Sequence, residues 1–141
     1  MVTLSEIEAQ VAEYCATRPE IVACYLFGSH ATGRARPGSD VDLAFLLASD
    51  VPKDRYGSLQ LEYFSALSDR LHRDIHPLIM NNAGEVVLEQ VFRKGVALYG
   101  GDAMECARFR MTQTVLIAEF APVRKRMEEN LFRRYKDAPH G

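Results

Sequence analysis

Gly28-Ser29 and, after a spacer of ten residues, Asp40-Val41-Asp42 are the residues of this 141-residue chain whose types and spacing carry chemistry. Side chains of an extended strand alternate between faces, so Asp40 and Asp42 share one face while Val41 and Leu43 turn to the other. Two carboxylates held side by side repel each other, and a cation between them relieves the repulsion. Oxygen donors without Cys or His favour Mg2+, which binds through one or two carboxylates together with substrate phosphates. Gly28-Ser29 lies where an apolar run meets a loop and suits the phosphate. Glycine permits close backbone approach, and exposed N–H groups and a hydroxyl donate hydrogen bonds. Asp74, opening Asp74-Ile75-His76, is the third carboxylate to recruit, and three around one point would hold two metal ions. Asp69 is second choice, on a predicted helix that gives it a surface position. His76 shares a strand face with Asp74 and receives no role, nor does the core residue Cys24.

These side chains need a scaffold, and the hydrophobic periodicity supplies one. Thr3 and Glu6 form a capping-box pattern, and Leu4, Ile7, Val11 and Cys15 recur at helical spacing until Pro19, predicting a helix with one buried face. The continuous apolar run Ile21 to Phe27 predicts a strand covered on both faces and central in its sheet. Val41 to Leu47 is a second strand, and Leu59, Tyr63, Phe64, Leu67 and Leu71 mark an amphipathic helix. Arg73 to Met80 is a third strand, in which Pro77 demands an edge position or a bulge. Residues 84–94 form a short helix ended by Gly95, then a strand from Val96 to Tyr99 and a turn at Gly100-Gly101. From Asp102 the chain is helical to about Tyr135, with a kink or a junction of two helices near Ala121 because of Pro122.

The expected fold class is α/β (α+β), a mixed β-sheet flanked by helices. One domain spans residues 1–141, its catalytic core at about 20–100 and a C-terminal helical segment at about 102–136. A composition of 48% hydrophobic and 26% charged residues supports a packed core and argues against wholesale disorder. Net charge is −2, so generic coating of nucleic acid and stable DNA binding are not expected. Cys15, Cys24 and Cys106 fit neither zinc-ligand spacing nor a disulfide framework. No apolar run reaches the roughly 18 residues of a membrane span, and no basic segment precedes an apolar signal core. The expected location is the cytoplasm, without membrane contact.

Gly-Ser, a ten-residue spacer, Asp-x-Asp and a later strand Asp resemble the DNA polymerase beta-type nucleotidyltransferase superfamily. Within it the short chain is similar to the minimal nucleotidyltransferases, the MNT or MntA-like antitoxins encoded beside HEPN-domain toxins, over nearly its whole length. The resemblance implies a polymerase beta-like nucleotidyltransferase fold. It makes Gly28 and Ser29 the phosphate-binding pair and Asp40 and Asp42 the metal-binding pair. Asp74 becomes the third acid, while Gly33 and Ser39 shape the loop, Ser39 being counted with the nucleotide-binding residues. Many relatives carry Arg after the Ser, where this chain has His30, and Arg34 or Arg36 is then the substitute contact to the triphosphate. The implied activity is Mg-dependent transfer of AMP from ATP to a hydroxyl, with two Mg2+ ions held by Asp40, Asp42 and Asp74. The implied acceptor is a tyrosine of a cognate HEPN RNase toxin, which would make the chain a type VII antitoxin and protein adenylyltransferase in a heteromeric complex.

Two other readings stand beside it. One is a small-molecule, antibiotic-type nucleotidyltransferase, although such enzymes usually carry a larger C-terminal substrate domain. The other is a non-catalytic antitoxin that neutralises its partner by binding. From Ala121 onward Arg124, Lys125, Arg126, Arg133, Arg134 and Lys136 face Glu128, Glu129 and Asp137, a local net of +3. This basic helix is either a solvated face or a docking surface. Met111, Val115, Phe120, Val123, Met127 and Leu131 are expected mostly in the core, part of the stripe being left for a partner.

Overall fold

The computed structural model describes residues 3–137, and the side chains of Ile117, Phe120, Phe132 and residues 134–137 lie outside what it describes. Phe120 of the predicted apolar stripe and Arg134, Lys136 and Asp137 of the charged tail are among these. The chain divides into two compact units, one ending at Arg108 and the other beginning at Phe109.

The first unit opens with helix α1 (Leu4–Ala16), started by a complete capping box. Glu6 N–H donates to Thr3 Oγ1 at 3.2 Å while Thr3 N–H donates to Glu6 Oε2 at 3.3 Å, satisfying two otherwise orphaned donors. Its buried stripe is Ile7, Val11, Tyr14 and Cys15. Leu4, expected in that stripe, is exposed, and Tyr14 is buried in it instead. Strand β1 (Ile21–Phe27) follows, then β2 (Val41–Leu47), α2 (Tyr56–Leu71), β3 (Ile75–Ile79), α3 (Glu85–Lys94) and β4 (Val96–Tyr99).

The sheet order is β3-β2-β1-β4, with β1 antiparallel to both neighbours and β2 parallel to β3. As its unbroken apolar run predicts, β1 lies inside the sheet. Odd-numbered β2 residues Leu43, Phe45 and Leu47 join Ile7 and Val11 of α1 and Leu59, Tyr63 and Leu67 of α2 in the main core. Phe64, placed in the α2 stripe from sequence, is exposed instead. It is one residue, about 100° of helix, away from the row that Leu59, Tyr63, Leu67 and Leu71 form.

On the opposite face α3 and the start of α4 (Met104–Asp137) cover the β1 side. The Tyr25 and Phe92 rings meet edge to face at 6.3 Å, and Tyr25 Oη lies 3.0 Å from the buried Cys106 Sγ. All three cysteines are free and buried. Gly95 does follow α3, but at φ −74° rather than in a left-handed cap. Its requirement is space, since a Cβ there would collide with the Val91 carbonyl and lie 3.2 Å from Leu26 O.

Pro77 occupies the edge strand β3, as predicted. Val41 N–H donates to Asp74 O at 3.0 Å, so in the parallel ladder the even-numbered β3 residues face β2. The missing N–H of Pro77 therefore points to the open edge.

The second unit consists of the remainder of α4, which runs unbroken through Pro122 rather than as two helices. The expectation that its apolar positions are mostly core does not hold: Met111, Val115, Val123, Met127 and Leu131 are all exposed, Met111 at 70%. Among the described residues no helix is long and apolar enough to cross a membrane.

Candidate active site

At the end of β1 the chain turns sharply through Gly28, whose φ of +74° is a left-handed value that favours glycine. Gly28–His30 forms one turn of 3-10 helix, and the Gly28 carbonyl accepts from Ala31 N–H and Thr32 N–H, each at 3.2 Å. The first N–H groups of such a turn have no partner within it and remain available to an anion. Ser29 sits half-buried in this turn.

Directly opposite, β2 begins. Phe27 pairs with Asp42 across the antiparallel ladder, and the Asp42 carboxylate extends over Gly28. A Cβ on Gly28 would overlap Asp42 Oδ2. The glycine is thus required twice, for its left-handed backbone and for the space that the carboxylate occupies. The phosphate-type turn and the Asp-x-Asp strand, with its exposed Asp40 and half-buried Asp42, meet at this point.

The parallel register sets Asp42 beside His76. His76 Nδ1 lies 3.2 Å from Asp42 Oδ1; an ionised carboxylate only accepts, so Nδ1 carries the proton of this bond. Asp42 is therefore held by His76 at one oxygen while the other covers Gly28. Sequence alone assigns His76 no role. Its place two residues after Asp74 on the same strand face was the available signal, but its pairing with Asp42 depends on a strand register that periodicity does not fix.

Asp74 lies immediately before β3 and is exposed. Its carbonyl anchors Val41, and with Gly38, Ser68, His72 and Arg73 it lines an open pocket of about 360 Å³. Asp69 is exposed on α2. Ser39 closes the loop: its Oγ accepts from Arg36 N–H and its own N–H donates to Arg36 O, both at 2.9 Å.

Carboxylate oxygens beside the opening N–H groups of a short turn form a donor set suited to a hard divalent cation bound with phosphate. The Gly28 cradle, which only a missing Cβ leaves open to the Asp42 carboxylate, fits that use. Among the described residues no three His, Cys, Asp or Glu side chains converge into a ready-made metal cage. Such a site needs substrate oxygens to complete it, the mode Mg2+ commonly adopts.

Residues 9–103 match the family described as Polymerase beta, Nucleotidyltransferase. Over 82 residues the chain is 30% identical to the protein adenylyltransferase MntA of Shewanella oneidensis, a stretch covering 58% of this chain and 56% of that relative. The chain thus spans a little over half the length of this curated relative. Its fold is similar to a crystal structure of a toxin-antitoxin with AMP-PNP, with TM-score 0.73 and 21% identity over 89% of this chain and 98% of the other. It is also similar to a chain from the complex of tri-AMPylated Shewanella oneidensis HEPN toxin with MNT antitoxin, with TM-score 0.68 and 20% identity over 89% and 96% of the two chains. The family match takes in the Gly28 turn, the whole Asp-x-Asp strand and the β3 entrance that the fold brings together, and the chain belongs to the polymerase beta nucleotidyltransferase family.

Proposed function

We propose that this chain is a protein adenylyltransferase that transfers AMP from ATP to a tyrosine hydroxyl of a HEPN-domain toxin, acting as its antitoxin in the cytoplasm and working as a single nucleotidyltransferase domain. The observation that carries this reading is the seating of the Asp42 carboxylate over Gly28, which joins a metal-type carboxylate arm to a phosphate-type turn. Similarity to MntA, a protein adenylyltransferase, supports the choice of AMP as the transferred group. Exposed apolar positions from Met111 to Leu131 support a protein partner.

Asp40, Asp42 and Asp74 would hold two Mg2+ ions together with the triphosphate. Bound Mg2+ offsets phosphate charge and lowers the pKa of an attacking hydroxyl. Gly28 and Ser29 donate N–H and O–H hydrogen bonds to the phosphates, and Ser39 keeps the intervening loop in place. Arg34 or Arg36, both exposed on that loop, would supply the guanidinium contact to the triphosphate, since His30 follows the serine. The acceptor oxygen forms a bond to the α-phosphorus, the bond from the α-phosphorus to the bridging oxygen breaks, and pyrophosphate leaves in line. Asp74, exposed at the β3 entrance, takes the hydroxyl proton. The reaction is tested by pyrophosphate release from Mg-ATP in the presence of the protein encoded beside this chain. Release that requires both proteins is expected; none would leave an antitoxin that acts by binding.

A further inference from the structure

The Asp40 peptide is gripped from two sides. Its preceding carbonyl, that of Ser39, accepts a hydrogen bond from Arg73 Nη2 at 2.9 Å and lies 3.3 Å from His30 Nε2. One residue further on, Val41 N–H donates to Asp74 O at 3.0 Å. Both the guanidinium and the Asp74 carbonyl come from the two residues that enter β3. Without them Asp40 would end a loop with no regular structure between the Gly28–His30 turn and β2, and loops of that kind are mobile.

The backbone before Arg73 is strained in a way that fits this task. His72 ends α2 in the left-handed region at φ +53°, the sole non-glycine residue there among those described. Such a conformation persists where the surroundings over-determine it. Here it ends α2 three residues before β3 begins, immediately ahead of Arg73.

We propose that Arg73 is a positioning residue of the active site: by holding the Ser39 carbonyl, its guanidinium fixes the Asp40 carboxylate relative to Asp42 and so sets the affinity for the divalent cation. This rests on the nucleotidyltransferase reading given above. Arg73 touches neither the cation nor the nucleotide in this role. Arg suits it because a planar guanidinium loses little freedom per hydrogen bond and stays charged at any working pH.

The test is Mn2+ binding to the full chain, followed by electron paramagnetic resonance with AMP-PNP present, for the native protein, Arg73→Met, Arg73→Lys and Asp42→Asn. Arg73→Met keeps the aliphatic stem but removes every donor, and it is expected to weaken Mn2+ binding about tenfold or more, the usual effect of losing an outer-shell partner. Arg73→Lys restores one donor and is expected to recover most of that loss, which a merely structural role would not require. Should Arg73→Met fail to fold, Arg73→Leu, which likewise has no donor, is read the same way. Native affinity in the folded Met or Leu variant, with Asp42→Asn still abolishing binding, overturns the role of Arg73 alone. Equal Mn2+ binding by native protein and Asp42→Asn overturns the nucleotidyltransferase reading with it.

Discussion

Gly28 admits no side chain for two independent reasons, a left-handed backbone and the Asp42 carboxylate lying where a Cβ would stand. Gly28→Ala is therefore expected to lower stability by at least about 1 kcal/mol, and to abolish nucleotidyl transfer, because relief of the overlap moves Asp42. Urea denaturation and pyrophosphate release check the two effects separately. His76 contacts Asp42 at 3.2 Å, and under the proposed function it would position that carboxylate. His76→Ala is expected to slow transfer about tenfold at unchanged stability, whereas His76→Asn, whose amide can donate from nearly the same place as Nδ1, should retain most of the rate. Equal rates for the Ala variant and the native chain would show that the 3.2 Å contact is idle. The Gly28, Ser29, Asp40 and Asp42 positions were legible in the sequence because strand period and a fixed spacer define them locally. The His76–Asp42 and Arg73–Ser39 bonds each span 34 residues, and they depend on how β3 docks beside β2, which no local pattern records.

At the scale of elements, α2 shows where hydropathy misleads and geometry corrects it. Phe64 is as apolar as its neighbours, yet only the Leu59, Tyr63, Leu67 and Leu71 row faces the sheet. Tyr63 within that row is fully buried, and its Oη has no hydrogen-bond partner. Burial pushes its pKa far above the usual tyrosine value, and burial also raises that of Tyr14, which packs edge to face against it at 6.1 Å. The Cys24 thiol is pushed up by the same cause. In each case the folded state holds its proton more tightly than the unfolded chain. Stability from these groups is thus complete below the unfolded pKa and is lost as pH rises beyond it, from about pH 9 for the thiol and about pH 10 for the tyrosines. Tyr63→Phe is expected to flatten the decline above pH 10, and at neutral pH to be neutral or stabilising by up to about 1 kcal/mol, since it removes an unpaired buried hydroxyl. Denaturation midpoints at pH 7, 9 and 10.5 check both. A steeper alkaline loss in the variant would contradict the assignment. The capping box of α1, by contrast, was fully readable from Thr3 and Glu6, because it is closed by residues three apart.

For the whole molecule, the order of helices and strands followed from periodicity, while the distribution of surface did not. The α4 positions Met111 and Leu131 are apolar and spaced for a buried stripe, yet they are 70% and 64% exposed. Periodicity records which side chains share a face and not whether this chain or another covers it. A net charge of −2 and an exposed apolar stripe suit a protein partner better than a nucleic-acid backbone. The most direct measurement is the intact mass of the protein encoded beside this chain after its incubation with Mg-ATP and this chain, native or carrying Asp40→Ala/Asp42→Ala. A mass gain of one or more adenylyl groups with the native chain, absent with the double variant, is predicted. An unchanged mass, with both versions binding the partner equally well, would contradict adenylyl transfer and leave an antitoxin that works by occupation alone.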